Sequence, residues 1–161
     1  MSPRLSIRRA TPQDAAAVAQ LAAELGYPVD AAVMRDRIRS VRASPADLLI
    51  VASEASGAPV GWLQAHGSLV VESGFRVEIT GLVVSPALRR RGVGRSLVDA
   101  AERWAKSLSA AGMVVRSNAR RVESHSFYPA LGYVPAKTQV VYRKPLAAAP
   151  ARTARRARRR V

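Results

Sequence analysis

The chain of 161 residues contains no cysteine and only two histidines, His66 and His125. The first absence removes a disulfide framework, thiolate metal sites and any cysteine nucleophile. The second leaves too few imidazoles for a histidine-built metal centre, so no metal is expected. No apolar run approaches the ~20 residues that a membrane span needs. Met1-Ser2-Pro3-Arg4 leads into alternating residues rather than a continuous apolar stretch, so a signal peptide is not expected either. Acids are scarce: 11 Asp and Glu face 26 Lys and Arg, for a formal charge of +15. All but three of those bases (Lys106, Lys137 and Lys144) are arginine. A surplus of that size favours phosphate-bearing cofactors, nucleic acid or acidic surfaces as partners. What the chain does have is 48% apolar residues, enough to bury one core without covalent staples. The expectation is a cytoplasmic protein with one folded domain and no membrane partner.

The patterning divides that domain into alternating elements. Leu5 to Arg9 reads as a short strand. Thr11-Pro12-Gln13-Asp14 reads as a helix start, with Asp14 in the capping-box place. Val18, Leu21, Ala22 and Leu25 repeat at helical spacing, and a second helix is expected over about 30–41. Strands follow at 48–52, 59–67 and 75–84, the last ending at Ser85-Pro86. Between 94 and 111 the apolar residues Leu97, Ala101, Trp104, Leu108 and Ala111 form one helical stripe. A strand at 113–117, a helix at 123–131 and strands at 133–134 and 138–143 complete the expected order β-α-α-β-β-β-α-β-α-β-β, a mixed α/β fold. The domain is placed at 1–145. Residues 146–161, rich in Ala and Arg and without apolar periodicity, are expected to be a disordered tail. Its Arg155-Arg156-Ala157-Arg158-Arg159-Arg160 run could hold nucleic acid.

The chemistry concentrates in Arg89-Arg90-Arg91-Gly92-Val93-Gly94-Arg95, between a long strand and a helix. Cations at a helix N-terminus each cost about 0.3–1 kcal/mol, because that end already carries positive charge. An anion reverses the sign. Two glycines open the backbone amides to a phosphate and the guanidinium groups add charge-assisted bonds. A P-loop is excluded, since no lysine follows Gly94. A dinucleotide fingerprint is excluded by Leu97 and by the mid-chain position.

Arg89-x-x-Gly92-x-Gly94 after Leu82-Val83-Val84 resembles the pyrophosphate loop of the GCN5-related N-acetyltransferases, the GNAT family. Phe127-Tyr128-Pro129-Ala130-Leu131-Gly132-Tyr133 is similar to that family's Phe-Tyr-x-x-x-Gly-Phe segment. The resemblance covers about residues 75–133. It implies a central mixed sheet of six or seven strands with about four helices, splayed between the fourth and fifth strands, and direct acetyl transfer from acetyl-coenzyme A to an amine. The pantetheine arm would lie along Leu82, Val83 and Val84, with Gly81 permitting a bulge. Arg89, Arg90, Arg91, Gly92, Val93, Gly94 and Arg95 would hold the pyrophosphate. Asn118 is a further cofactor contact, although the place where many members carry Asn is Arg121 here.

Glu78, with a water relay as the alternative, is the expected base, and Glu72 and His66 are lesser candidates. Simple alternation puts Glu78, Thr80 and Leu82 on one face, an arrangement that a bulge at Gly81 would change. Glu78 could equally be a rim carboxylate paired with Arg76 or Arg116. Tyr128 is the expected acid for the departing thiolate, with His125 one helical turn away. The acceptor, a small-molecule primary amine with protein amines as the alternative, is expected against residues 26–41, which carry Asp30, Asp36, Arg35, Arg37 and Arg39. A homodimer is expected from family habit alone.

Overall fold

The computed structural model describes residues 5–54 and 57–146. Five strands, β1 (Ser6–Arg9), β2 (Asp47–Ser53), β3 (Pro59–Val70), β4 (Gly74–Val84) and β5 (Met113–Val115), lie in sequence order in one open sheet. The first three pairings are antiparallel and β4–β5 is parallel. Helices α1 (Ala15–Glu24), α2 (Ala31–Ala43), α3 (Val93–Ser107) and α4 (Val122–Phe127) complete the fold, with single 3₁₀ turns at Pro12–Asp14, Pro86–Leu88 and Pro129–Leu131.

Strand alternation divides the apolar residues into two cores. Leu49, Val51, Trp62 and Val83 point to α1 and α2, where Val18, Leu21, Met34 and Ile38 meet them. Leu48, Ile50, Ala52, Leu63, Ala65, Val77 and Ile79 point to α3 and its Val93, Leu97, Val98, Ala101 and Ala105 stripe. Of the stripe read in the sequence, Leu97 and Ala101 are buried and Trp104 is partly so, while Val98 and Ala105 complete the buried face of α3, which ends at Ser107 rather than continuing to 111.

Two expectations need correction. Among the described residues the sheet has five strands, not six or seven: residues 133–146 carry no strand, and Val134, Val140, Val141 and Tyr142 are exposed. β-Branched residues make a segment fit to be a strand, but only a ladder partner makes it one. Among the described residues, no edge of the sheet pairs with this segment. The second correction concerns facing. Gln64 pairs with Gly81 and Ala65 with Ile79, so Thr80 is an extra residue in β4, next to the glycine expected to permit a bulge. The extra residue reverses the alternation: Glu78 shares a side with Val83, while Leu82 and Val84 turn to the α3 side with Val77 and Ile79. Glu78 and Leu82 therefore lie on opposite faces. The arginine-rich tail lies outside the described residues apart from Leu146.

The start of α1 is fixed by charge. Asp14, 6% exposed, takes a two-pronged ion pair from Arg8, with Nη1–Oδ2 and Nη2–Oδ1 both 2.7 Å. It also accepts from the Thr11 backbone N–H at 2.7 Å and the Thr11 hydroxyl at 3.1 Å. The Arg8 hydrogen bonds, helped by Thr11 and opposed by burial, hold the Asp14 carboxyl below its ordinary range. Its stabilising contribution is therefore complete above the unfolded carboxylate value of about 3.9 and is lost as pH falls through the lower folded value. Asp14→Asn is expected to cost about 2 kcal/mol at neutral pH, less than a fully buried pair because Arg8 is partly exposed. Urea denaturation should show that loss, and the variant should lack part of the wild type's fall in stability below pH 4.

Candidate active site

Three features of β4 and its flanks define the site. The first is an interrupted edge. β5 pairs only with Val77, Glu78 and Ile79, so the remaining length of β4, through Val84, has no strand on that side. The Ser85 N–H donates to Val60 O on the β3 side at 2.8 Å. Alternation then turns the backbone groups of Val83 toward β3 and those of Leu82 and Val84 toward the open side. Of the three residues expected to line the arm of a cofactor, Leu82 and Val84 turn their backbone groups to the open side, where Val84 O already takes the Arg89 Nε–H, and Val83 packs into the α1–α2 core.

The second feature is the loop entering α3. Gly92 adopts φ +80°, a left-handed conformation that a side chain resists, and Arg90 shares it at φ 60°. Ser96 N–H makes the first bond of the helix, to Gly92 O, leaving the amides of Val93, Gly94 and Arg95 without intrahelical partners. Val93 is buried in the α3 core and anchors the loop, while Arg89, Arg90, Arg91 and Arg95 are exposed. Arg89 Nε donates to Val84 O at 3.3 Å and Arg95 Nη2 to Ala130 O at 3.4 Å. Among the described residues no carboxylate pairs with any of the four. Free amides, a bare glycine and four unneutralised guanidinium groups suit a diphosphate. Gly94 has another role: a Cβ there would lie 3.1 Å from the Phe127 ring, so its small size lets α3 meet α4.

The third feature is the aromatic end of α4. Tyr128 caps the helix, its ring 5.0 Å from Phe127 and 5.7 Å from Tyr133, both edge-on. Tyr133 hydroxyl donates to Glu102 Oε1 on α3 at 3.2 Å, which fixes that wall. Burial raises the Tyr128 phenol pKa above its ordinary value, and the positive charge of Arg121 partly offsets the rise. Among the described residues no hydrogen-bond partner occupies the Tyr128 hydroxyl. His125 is exposed and makes no bond to it. Arg121 Nη2 instead reaches Leu25 O at 3.4 Å, linking the β5–α4 loop to the end of α1. Asn118 Oδ1 accepts from Arg120 N–H at 3.0 Å, so its side chain builds the local turn.

On the α1–α2 face, Glu78 is 19% exposed and pairs with Arg116, Nη1–Oε1 3.0 Å. Arg76, the alternative partner, does not take it. An open cleft of ≈ 460 Å³ lies between α2 and β3, lined by Val33, Asp36, Arg37, Ser40, Val41 and Gln64. Of the two acids expected there, Asp36 lines the cleft, held by Arg39 at 2.9 Å. Asp30 instead caps α2, accepting from Ala32 N–H at 2.7 Å. Sequence reasoning missed Gln64, Ser40 and Asp47. The available signal was parity, since Gln64 and His66 put polar side chains on one face of an otherwise apolar β3. Among the described residues no cluster of His, Asp or Glu could hold a metal, and no helix is long and apolar enough to cross a membrane.

Comparison with known proteins supplies the family. Residues 15–133 match the model of the acetyltransferase (GNAT) family. Aminoglycoside N(6')-acetyltransferase type 1 of Stenotrophomonas maltophilia is 30% identical over 148 residues, which is 88% of this chain and 94% of that protein. Among solved structures, aminoglycoside N-acetyltransferase AAC(6')-Iy in complex with CoA is similar at TM-score 0.80 and 20% identity, covering 91% of this chain and 98% of that one. Aminoglycoside 6'-N-acetyltransferase AAC(6')-Ih of Acinetobacter baumannii follows at TM-score 0.77 and 20% identity, covering 89% and 99%. The phosphate-suited loop, the interrupted β4 edge and the family match converge: this chain belongs to the GNAT family and is an acetyl-coenzyme A-dependent N-acetyltransferase.

Proposed function

We propose that the protein acetylates a primary amine of a small amino sugar of the aminoglycoside type. The observation that carries this reading is the cleft on the Glu78 face of the sheet. Its ≈ 460 Å³ is in the range of small-molecule sites, and its lining of Asp36, Ser40, Gln64 and Arg37 offers donors and acceptors suited to hydroxyl and ammonium groups. The curated relative named above, an aminoglycoside acetyltransferase, supports the same acceptor class.

Acetyl-coenzyme A supplies the thioester whose carbonyl carbon the amine attacks. The chain's own groups bind, orient and move protons. Arg89, Arg90, Arg91 and Arg95, with the amides of Val93, Gly94 and Arg95, hold the pyrophosphate, and the outward backbone groups of Leu82 and Val84 hold the arm. Asn118 lies at the same end of the sheet and orders the turn toward α4. Glu78 draws the acceptor ammonium to the sheet, with its charge shared by Arg116, and hands the proton to water. An alkylammonium has a pKa near ~10.4, so this proton must be removed before attack at neutral pH. Tyr128 gives a proton to the departing sulfur. Its raised pKa keeps the phenol protonated throughout the neutral range, as a donor must be.

Three measurements test this reading. Thiol release from acetyl-coenzyme A should accelerate with amino sugars such as neamine, and not with lysine peptides of equal concentration; the reverse ranking would reassign the acceptor. Arg89→Ala with Arg91→Ala should raise the acetyl-coenzyme A KM about tenfold or more and flatten the salt dependence of calorimetric coenzyme A binding. Tyr128→Phe should lower kcat about 10²-fold with coenzyme A affinity within about twofold. Wild-type kcat should show no loss of the acid form below the ordinary phenol value of about 10.

A further inference from the structure

We propose that His66, oriented by Asp47, is the group on which the acceptor's proton comes to rest. This rests on the acetyltransfer reading above and extends it to a residue pair on the two strands beside Glu78. The pairing register places Asp47 opposite His66 and His66 opposite Glu78, so the three side chains form a row across β2, β3 and β4 on the α1–α2 face. Asp47 Oδ1 lies 2.9 Å from His66 Nδ1. An ionised carboxylate can only accept, so Nδ1 carries the hydrogen, and in the neutral ring the lone pair is on Nε2. His66 is 47% exposed and Asp47 only 20%, an arrangement with a covered orienting acid and an open imidazole. Gln64, two residues earlier on the same face of β3, lines the acceptor cleft, which puts His66 about 7 Å further along the same wall.

Glu78 alone is poorly suited to keep the proton, because its carboxylate is engaged by Arg116 at 3.0 Å. It remains suited to hold an ammonium ion. The charged and titratable groups on the face that His66 shares are Asp47 on β2, in contact with it, Glu78 and Arg76 on β4, Arg116 paired to Glu78, and Asp36 and Arg37 on α2 across the cleft from Gln64. The proton account closes on these residues. Of the three protons on the acceptor ammonium, one passes through water to His66 Nε2 and then to solvent. One is matched by the proton Tyr128 gives to sulfur as the C–S bond breaks, and the third stays on the amide nitrogen. Asp47 touches no reactant and is a positioning residue.

The test uses the full-length protein with neamine and acetyl-coenzyme A. His66→Gln is expected to lower kcat about 10²-fold, to remove the acidic limb of the kcat/KM profile, and to leave calorimetric coenzyme A binding unchanged. Asp47→Asn should give a smaller loss, of about tenfold, together with a shift of the His66 tautomer in ¹⁵N spectra. In the neutral ring the wild-type spectrum should place the hydrogen on Nδ1, a readout independent of turnover. His66→Ala should regain activity with added imidazole, which separates a proton-transfer role from a folding defect. Wild-type-like kcat and an intact acidic limb in His66→Gln, or an Nε2–H tautomer in the wild type, would overturn the assignment alone. A wild type inert toward every amine would overturn the parent reading as well.

Discussion

The site depends on where β4 stops being paired. One extra residue, Thr80, sits beside Gly81, whose missing side chain is required because a Cβ there would lie 2.7 Å from the Trp62 ring. Trp62 is held in the α1–α2 core, so the β4 backbone must pass over it without a substituent. A few residues earlier β5 ends at Val115, and the two interruptions together leave the outer edge of β4 open from about Thr80 to Val84. An unpaired strand edge inside a protein is a cost, since its N–H and C=O groups lack partners. A ligand with amide groups of its own is the natural way to meet that cost, and the phosphate-suited loop stands at the end of the same edge.

The parity reversal does further work. Before the bulge, even-numbered residues of β4 face α1 and α2; after it, Leu82 and Val84 face α3. Glu78 is thereby kept on the face of the proposed acceptor cleft, while the residues proposed to carry the cofactor arm send their side chains into the opposite core. Charge is sorted in the same sense. The four exposed arginines of the loop entering α3 gather where diphosphate charge is proposed to sit, and Asp36, Asp47 and Glu78 lie on the face proposed for an ammonium, interleaved there with Arg37 and Arg116. A formal +15 says nothing of this sorting; position does.

Much of this was legible in the sequence, for identifiable reasons. β4 and α3 are long and strongly patterned, and Arg89 to Arg95 is electrostatically unfavourable unless an anion is present, so the region that carries the chemistry stood out. The order of the first nine elements followed from periodicity together with cap and stop residues such as Thr11-Pro12 and Ser85-Pro86. Three things were not legible. The bulge residue was ambiguous because glycine permits a bulge without fixing which neighbour is extra, and one residue of error turns Glu78 and Leu82 from one face to opposite faces. Residues 138–143 have strand composition but pair with no strand of the sheet among the described residues. The Asp47–His66 contact spans 19 positions between two strands, and only the antiparallel register creates it.

The two halves of the proposed machinery are mechanically joined through one contact. Gly94 belongs to the loop proposed to bind pyrophosphate, and the Phe127 ring lies against its Cα, close enough that a Cβ would meet it at 3.1 Å. Phe127 precedes Tyr128, whose ring it touches edge-on, and Tyr133 closes the other side through its bond to Glu102 on α3. The helix that presents the loop amides is therefore the same body that positions the phenol. A diphosphate that seats on the amides of α3 would tighten the loop against Phe127 and so fix the phenol in the place proposed for the leaving sulfur. Pre-organisation of that kind lowers the cost of orienting the acid at the moment of reaction. It gives a physical reason for the glycine at position 94 that is separate from access to phosphate: the residue is small because α3 meets there the Phe127 ring that precedes the proposed proton donor.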